Sequence, residues 1–238
     1  MIRFFAPDLL QTLTLPESES GHAVRVLRHS EGDAVEVVDG KGNLFRCTIV
    51  SAHHKACVVE INEQISLPKV WTPTITIAVA PTKNMDRMEW LLEKLVEIGI
   101  DRFVPVRCAR SERKDIKIER LEKIAVSAMK QSLKAVLPQI SPMVSIKEFL
   151  QSVGTEDCDK FVGYCDENTP RQLLSRAYRP EQDVVILIGP EGDFSPEEIK
   201  ACSDAGFVTV TMGDNRLRTE TAALVGCDTI HIVNQLSS

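Results

Sequence analysis

The chain has 238 residues, 43% of them hydrophobic and 26% charged, with a formal net charge of −6. That length and balance fit a soluble globular protein with one large domain, or a medium one plus a small one. No apolar run approaches the ~20 residues that span a bilayer. The N-terminus, MIRFFAPDLL, lacks the long apolar stretch and small-residue cleavage site of a signal peptide, so the chain reads as cytoplasmic.

Seven cysteines and five histidines are scattered along the chain. No CxxC occurs, and His53-His54 has no cysteine or carboxylate pattern around it. This pattern predicts free buried thiols in a reducing compartment, and no metal site.

The first part is β-rich. A short helix is expected over 20–28, then strands over 34–40, 43–52 and 55–62, with DGKG turning the chain between the first two. Two prolines, Pro68 and Pro73, make 67–73 a linker. From Thr74 the pattern changes to strands alternating with helices. TITIAVA (74–80) is a buried strand. Met85–Gly99 is an amphipathic helix with Met88, Leu91, Leu92 and Leu95 on one face and a terminal glycine. RFVPVRC (102–108) is a strand, and a long helix over 118–136 is expected to stop at Pro138. KFVGYCD (160–166) is a strand and 170–178 a helix. DVVILIG (183–189) is almost wholly apolar, as a central parallel strand should be. Residues 195–206 form a helix, 207–213 a strand and 220–235 the last helix. The predicted fold class is therefore α/β, with a mostly parallel sheet behind a small β-rich domain.

The acidic total argues against a nucleic-acid partner, but charge distribution matters more. Residues 102–134 carry ten Lys/Arg against four Asp/Glu. Such a segment is either a polyanion-binding patch or a solvated helix face laced with Glu/Lys pairs.

Ligands of parallel sheets bind off the carboxyl ends of the strands. Two polar, glycine-bearing loops sit there: Leu187–Ile199, LIGPEGDFSPEEI, and Met212–Leu224, MGDNRLRTETAAL. In the first, two glycines permit close backbone approach, and Ser195-Pro196-Glu197-Glu198 reads as a capping box with proline at the first helical position. Neither loop is GxGxxG or GxxxxGK[ST], so nicotinamide and nucleotide-triphosphate readings are weak. Taken alone, Gly189–Gly192 also fits an ordinary tight turn. Thr219 and Thr221 offer hydroxyls to cap the last helix, and Arg218 paired to Glu220 would be a purely structural arrangement. Two such loops on consecutive strands make one crevice and favour a ligand site.

GPEG-x-F-S-x-x-E-I followed by G-x-x-x-L-R-T-E-T-A resembles the SPOUT class of S-adenosylmethionine methyltransferases, whose C-terminal part forms a trefoil knot. Within it the chain is similar to the RsmE-type family, which methylates N3 of a uridine in bacterial 16S ribosomal RNA. Arg3-Phe4-Phe5 and the stretch His22 to Arg28 resemble that family's PUA-like domain. Lys83, Arg87, Glu89, Lys94 and Glu97 fit its first methyltransferase helix. Three places depart from the family pattern: Asp193 stands where a second glycine is frequent, Asn215-Arg216 replace an arginine and an aliphatic residue, and Lys134 stands where arginine is common.

The resemblance implies a PUA-like β-barrel RNA-binding domain over 1–70 and a knotted SPOUT methyltransferase domain over 72–238. It implies S-adenosyl-L-methionine as cofactor, held by Ile188, Gly189, Pro190, Glu191, Gly192, Met212, Gly213, Leu217 and Thr221. It also implies a homodimer acting on 16S ribosomal RNA in the small ribosomal subunit, without a metal or a membrane. Arg218 is expected to stabilise the uracil anion, with Glu220 orienting it or accepting a proton. Arg3, Arg25, Arg28, Lys83, Arg110, Arg113 and Lys134 are the expected RNA contacts. Two alternatives remain: a non-catalytic RNA-binding or ribosome-assembly protein keeping the fold, and a methyltransferase acting on another RNA or base atom.

Overall fold

The structure, a computed structural model, describes residues 2–164 and 172–237. Cys165, Asp166, Pro170 and Arg171, in the strand expected over 160–166 and the helix expected over 170–178, lie outside the described residues. The chain divides into two compact units: Met1–Val70 with Ala125–Leu137, and Trp71–Ile124 with Pro138–Ser238.

The first unit begins with β1 (Arg3–Phe5), α1 (Leu9–Thr12) and α2 (Glu17–Gly21). The helix expected over 20–28 starts earlier and widens into a π-turn, His22–Val26. Next come β2 (Ala34–Val38), β3 (Asn43–Ser51) and β4 (Val58–Ser66). The third expected strand starts later because His53–Ala56 close a turn, with Ala56 N–H donating to His53 O at 3.1 Å. The sheet order is β1-β2-β3-β4, with β1 parallel to β2 and the other pairs antiparallel. Phe4, Val35, Val37, Phe45, Ile49 and Val59 fill its core.

The DGKG turn has a polar anchor. Asp39 is buried and accepts from Lys41 N–H at 2.7 Å, Asn43 N–H at 3.1 Å and Asn43 Nδ2 at 2.7 Å. This is the local side-chain-to-backbone bonding that makes Asp a turn residue. Lys130 donates to Glu19 at 2.6 Å in the same unit.

The second unit opens with β5 (Ile75–Val79), α3 (Met85–Ile98) and β6 (Arg102–Arg107). Asn84 caps α3 by accepting from Asp86 N–H at 2.9 Å. The next helix, α4 (Ile118–Gln131), belongs to this unit only as far as Ile124, its remainder being counted with the first, and it ends well before Pro138. Leu133 there adopts a left-handed φ of 56°, and Lys134 N–H returns to Met129 O at 3.0 Å. That six-to-one bond closes the helix end, so proline is not what stops it.

The sequence pattern assigns no element to 139–153. The structure has β7 (Gln139–Ile140), β8 (Val144–Ser145) and α5 (Ile146–Val153) there, the last with a capping box from Ser145 and Glu148. β9 (Asp159–Gly163), β10 (Gln172–Leu173), α6 (Leu174–Ala177) and β11 (Val184–Ile188) follow. The chain closes with α7 (Pro196–Asp204), β12 (Val208–Thr211) and α8 (Thr219–Ser237).

The sheet order is β10-β12-β9-β11-β5-β6-β7, with β8 also on β6, and every pair is parallel. All five residues of β5 and of β11 are buried. Alternation along β11 divides two faces. Val185 and Leu187 join the core that contains Phe149 of α5 and Cys202 of α7. Ile186 lies on the side of α8, close to Gly226. Each such aliphatic side chain contributes about 1.5–3 kcal/mol on burial.

The described cysteines are free thiols, five of them buried. Burial pushes the Cys47 thiol up to about 11 and that of Cys202 to about 12, so both stay protonated and unreactive. Among the described residues no helix is long and apolar enough to cross a membrane.

Gly99, which ends α3, has φ 135°, and a Cβ there would stand 2.6 Å from the Trp71 ring. Trp71 Nε1 in turn donates to Asp101 at 3.0 Å, and Asp101 also accepts Ile75 N–H at 2.9 Å, anchoring the start of β5. Gly99→Ala is therefore expected to cost about 1–3 kcal/mol through backbone strain, and more through the ring contact. Thermal melting should show a fall of at least several degrees; an unchanged melting temperature would contradict this packing.

Candidate active site

The carboxyl ends of β11, β9 and β12 open onto a cavity of about 400 Å³. Its floor is made where strands stop. Gly163 ends β9 beneath it, and a Cβ there would meet Ile188 at 2.8 Å and Met212 at 3.5 Å. Absence of a side chain at 163 keeps the cavity open.

The first loop is held by several contacts. Asp193 N–H donates to Pro190 O at 2.9 Å, and Asp193 itself has φ 60°. The residue that departs from the family's glycine thus adopts the left-handed conformation glycine favours, and its carboxylate accepts Phe194 N–H at 2.8 Å. The buried Phe194 ring packs against Gly189, where a Cβ would stand 2.8 Å from it. Ser195 and Glu198 form the expected capping box. Glu198 does a second job: its other oxygen accepts Ala109 N–H at 2.7 Å, fixing the loop after β6.

The loop after β5 is tied to the first. Ala80 N–H donates to Ile188 O at 2.9 Å, and Lys83 N–H to Glu191 Oε1 at 3.1 Å. The second loop joins through one buried contact, Thr219 Oγ1 donating to Gly189 O at 3.0 Å. The sequence pattern has Thr219 capping its own helix; its hydroxyl bridges the two loops instead.

Of the expected cofactor residues, Ile188, Gly189, Pro190, Glu191, Met212 and Leu217 line the cavity. Gly192, Gly213 and Thr221 do not. A Cβ at Gly192 would face Arg110, at 3.3 Å, and nothing lies within 4 Å of one at Gly213. Gly192 therefore serves loop packing here, and Gly213, with φ 131°, serves the turn after β12.

Both expected catalytic residues line the cavity, but they are not paired with each other. Glu220 is buried and its partner is Arg87 of α3, at 3.6 Å. Arg218 is exposed and pairs with no carboxylate among the described residues. The sequence reading gives no site role to Arg87, Gly163, Tyr164, Val210, Thr211 or Thr219, all of which line the cavity. For Gly163, Tyr164, Val210 and Thr211 the available signal is position at a strand end; for Arg87 it is the match to the family's first methyltransferase helix.

The expected RNA contacts separate into two kinds. Arg3 is mostly buried, bonding to Glu36 at 3.3 Å and to the Leu133 carbonyl, so it is a structural tie. Arg110 donates to Gly192 O at 3.0 Å, and Arg113 to Lys83 O at 2.7 Å and Thr82 O at 3.3 Å; both brace site loops. Lys83 pairs with Glu112 at 3.2 Å while staying exposed, and Lys134 is half-buried. Arg25 and Arg28 are exposed in the first unit. Arg102, Arg120 and Lys130 from the basic segment are ion-paired as well, as a face of Glu/Lys-type pairs would be. Among the described residues no group of three His, Cys, Asp or Glu is placed to hold a metal ion.

Removing the bridging hydroxyl tests how far the loops depend on each other. Thr219→Val keeps the shape but leaves a buried carbonyl unpaired, at a cost of about 1–3 kcal/mol. The variant should melt several degrees lower, while Thr219→Ser should melt close to the parent.

A family model described as an RNA methyltransferase domain matches residues 70–231, and one described as an RNA methyltransferase PUA domain matches residues 15–62. Ribosomal RNA small subunit methyltransferase E of Bacillus subtilis (strain 168) is 30% identical over 242 residues, covering 94% of this chain and 91% of that protein. The crystal structure of a probable rRNA-methyltransferase from Porphyromonas gingivalis superposes with a TM-score of 0.93 at 46% identity, covering 100% of both chains. The ribosomal RNA small subunit methyltransferase E of Neisseria gonorrhoeae, bound to S-adenosyl methionine, superposes with a TM-score of 0.82 at 26% identity and 98% coverage of each chain. Both halves of the molecule and nearly its whole length are thus accounted for by one lineage, and the chain belongs to the ribosomal RNA small subunit methyltransferase E family of RNA methyltransferases.

Proposed function

We propose that this protein uses S-adenosyl-L-methionine to methylate N3 of a uridine in small-subunit ribosomal RNA, as a cytoplasmic homodimer acting on the small ribosomal subunit. The observation that carries this reading is the cavity at the strand ends. It combines an apolar wall, a glycine floor and a guanidinium without a carboxylate partner among the described residues. Its volume of about 400 Å³ falls within the range of small-molecule sites.

The residues fit the cofactor. Ile188, Met212 and Leu217 give apolar walls, and the glycine at 163 leaves room that a Cβ would fill. The backbone of Gly189–Glu191 supplies polar groups. When bound, S-adenosylmethionine supplies an electrophilic methyl group on a sulfonium sulfur.

The chain's own residues then have two tasks. N3 of uracil is protonated and lies on the pairing edge, so the base must be unpaired and the anion favoured. Arg218 offers a planar cation to a uracil carbonyl oxygen, where charge accumulates as the proton leaves. Its freedom from carboxylates leaves its donors available to a substrate. Arg25 and Arg28 offer exposed charge to the RNA backbone.

Calorimetry with S-adenosylmethionine, followed by methyl transfer to small subunits lacking the modification and mass spectrometry of the RNA, tests the reading. RNA binding without cofactor binding would instead fit a non-catalytic assembly protein. Methylation at another atom would replace uridine N3.

Two outcomes follow for variants. Arg218→Ala should lower the methylation rate constant by about 10²-fold or more, a typical loss for one electrostatic donor, with cofactor affinity little changed. Arg218→Lys should recover part of the rate, because a point charge replaces a planar fork. Reversing Arg25 and Arg28 to glutamate should weaken RNA binding and flatten its log–log salt slope by about 0.7 for each phosphate no longer neutralised. Cofactor affinity should stay constant in that double variant.

A further inference from the structure

Arg218 and Glu220 do not form the ion pair of the purely structural alternative, and another pair stands in the same cavity. Glu220 is the second residue of α8, with its side chain 9% exposed. A buried carboxylate without a partner is costly to keep charged. Arg87, on the first turn of α3, places Nη1 3.6 Å from Glu220 Oε1. Among the described residues it is the cation that reaches this carboxylate. Arg87 is half-exposed, lines the same cavity, and makes no other ion pair among the described residues.

The separation is longer than a hydrogen bond, so the pair is held by charge rather than by a shared proton. No hydrogen-bond donor among the described residues reaches the Glu220 carboxyl group, which lines the cavity and keeps its lone pairs free. Such a group accepts a proton. α3 packs against α8, so the two side chains are presented by rigid helices rather than by loops.

We propose that Arg87 is a positioning residue that holds the Glu220 side chain in place at the cavity, and that Glu220 takes the N3 proton of the target uridine. This rests on the methyltransferase reading above. In the step, the N3–H bond breaks and its proton passes to the Glu220 carboxylate. The N3 electron pair forms the N–CH3 bond as the sulfonium C–S bond breaks, leaving S-adenosylhomocysteine, the methylated base and a protonated Glu220. That proton returns to water on product release. Arg218 and Glu220 thereby act separately, one on the carbonyl oxygen and one on the proton.

The test is a double-mutant cycle on single-turnover methyl transfer with saturating cofactor, using wild type, R87M, E220Q and R87M/E220Q. Cofactor affinity by calorimetry and melting temperature are recorded on the same preparations. Wild-type methyl transfer to uridine N3 is the control for the underlying reading; its failure sinks that reading before the cycle is interpreted. With wild type active, E220Q should lower the rate constant by about 10²-fold or more, the usual scale for a lost general base. R87M should lower it about tenfold or more, with KM for RNA and cofactor affinity changed less than about threefold. In the E220Q background R87M should have almost no further effect, since groups acting as a unit are non-additive. Arg87→Lys, which keeps the charge, should recover most of the rate. An equal R87M effect in both backgrounds, a raised KM with unchanged rate constant, or no rescue by lysine overturns the proposal. If R87M does not fold, R87K and R87Q carry the same comparison.

Discussion

Strand β11 has parallel neighbours on both sides, pairing residue for residue with β5 over Ile75–Val79 and with β9 over Asp159–Gly163. Everything at the site depends on that pairing. Parallel strands cannot be joined by tight hairpins; each must return by a crossover, so their carboxyl ends gather at one edge. Complete burial of β5 and β11 makes the register expensive to shift. The loops leaving β5, β6, β11 and β12 therefore start from fixed points on one sheet.

From those points the loops are stitched by backbone acceptors and a small number of side chains. Glu191 takes the Lys83 amide, Glu198 takes the Ala109 amide, Arg110 and Arg113 reach loop carbonyls, and Thr219 reaches Gly189. Several polar side chains of the two loops, with Arg110 and Arg113 beside them, thus hold the cavity's shape. Arg216 and Arg218, without a carboxylate partner among the described residues, and the Arg87–Glu220 pair also line the cavity. A rigid frame with few free charges is what electrostatic catalysis requires, because donors aimed in advance need no reorganisation during reaction.

The N-terminal unit follows a different economy. Its sheet is mostly antiparallel, its turn is fixed by the buried Asp39, and Lys130 and Glu19 form a close ion pair inside it. Arg3 is turned to internal partners, whereas Arg25 and Arg28 face solvent. The same residue type serves both cohesion and surface charge, and only burial separates the two.

Much was legible in the sequence. The apolar run of β11, the amphipathic repeat of α3, the DGKG turn and the Ser195–Glu198 capping box are local signals, and local physics fixes them. The GPEG and LRTETA loops were recognisable because each lies within one continuous stretch. What lies outside local range was decided by the tertiary structure. α5 and its flanking strands are short, and α4 ends at a left-handed leucine that no proline announces. Gly192 faces Arg110, Thr219 bridges loops, and Glu220 meets Arg87 instead of Arg218. In each of these last cases the partner is 30 or more residues away in the chain. A sequence shows which charges and hydroxyls are near each other along the backbone. Which of them meet is set by sheet register and helix packing, because a partner brought across the fold competes on equal terms with one two residues away.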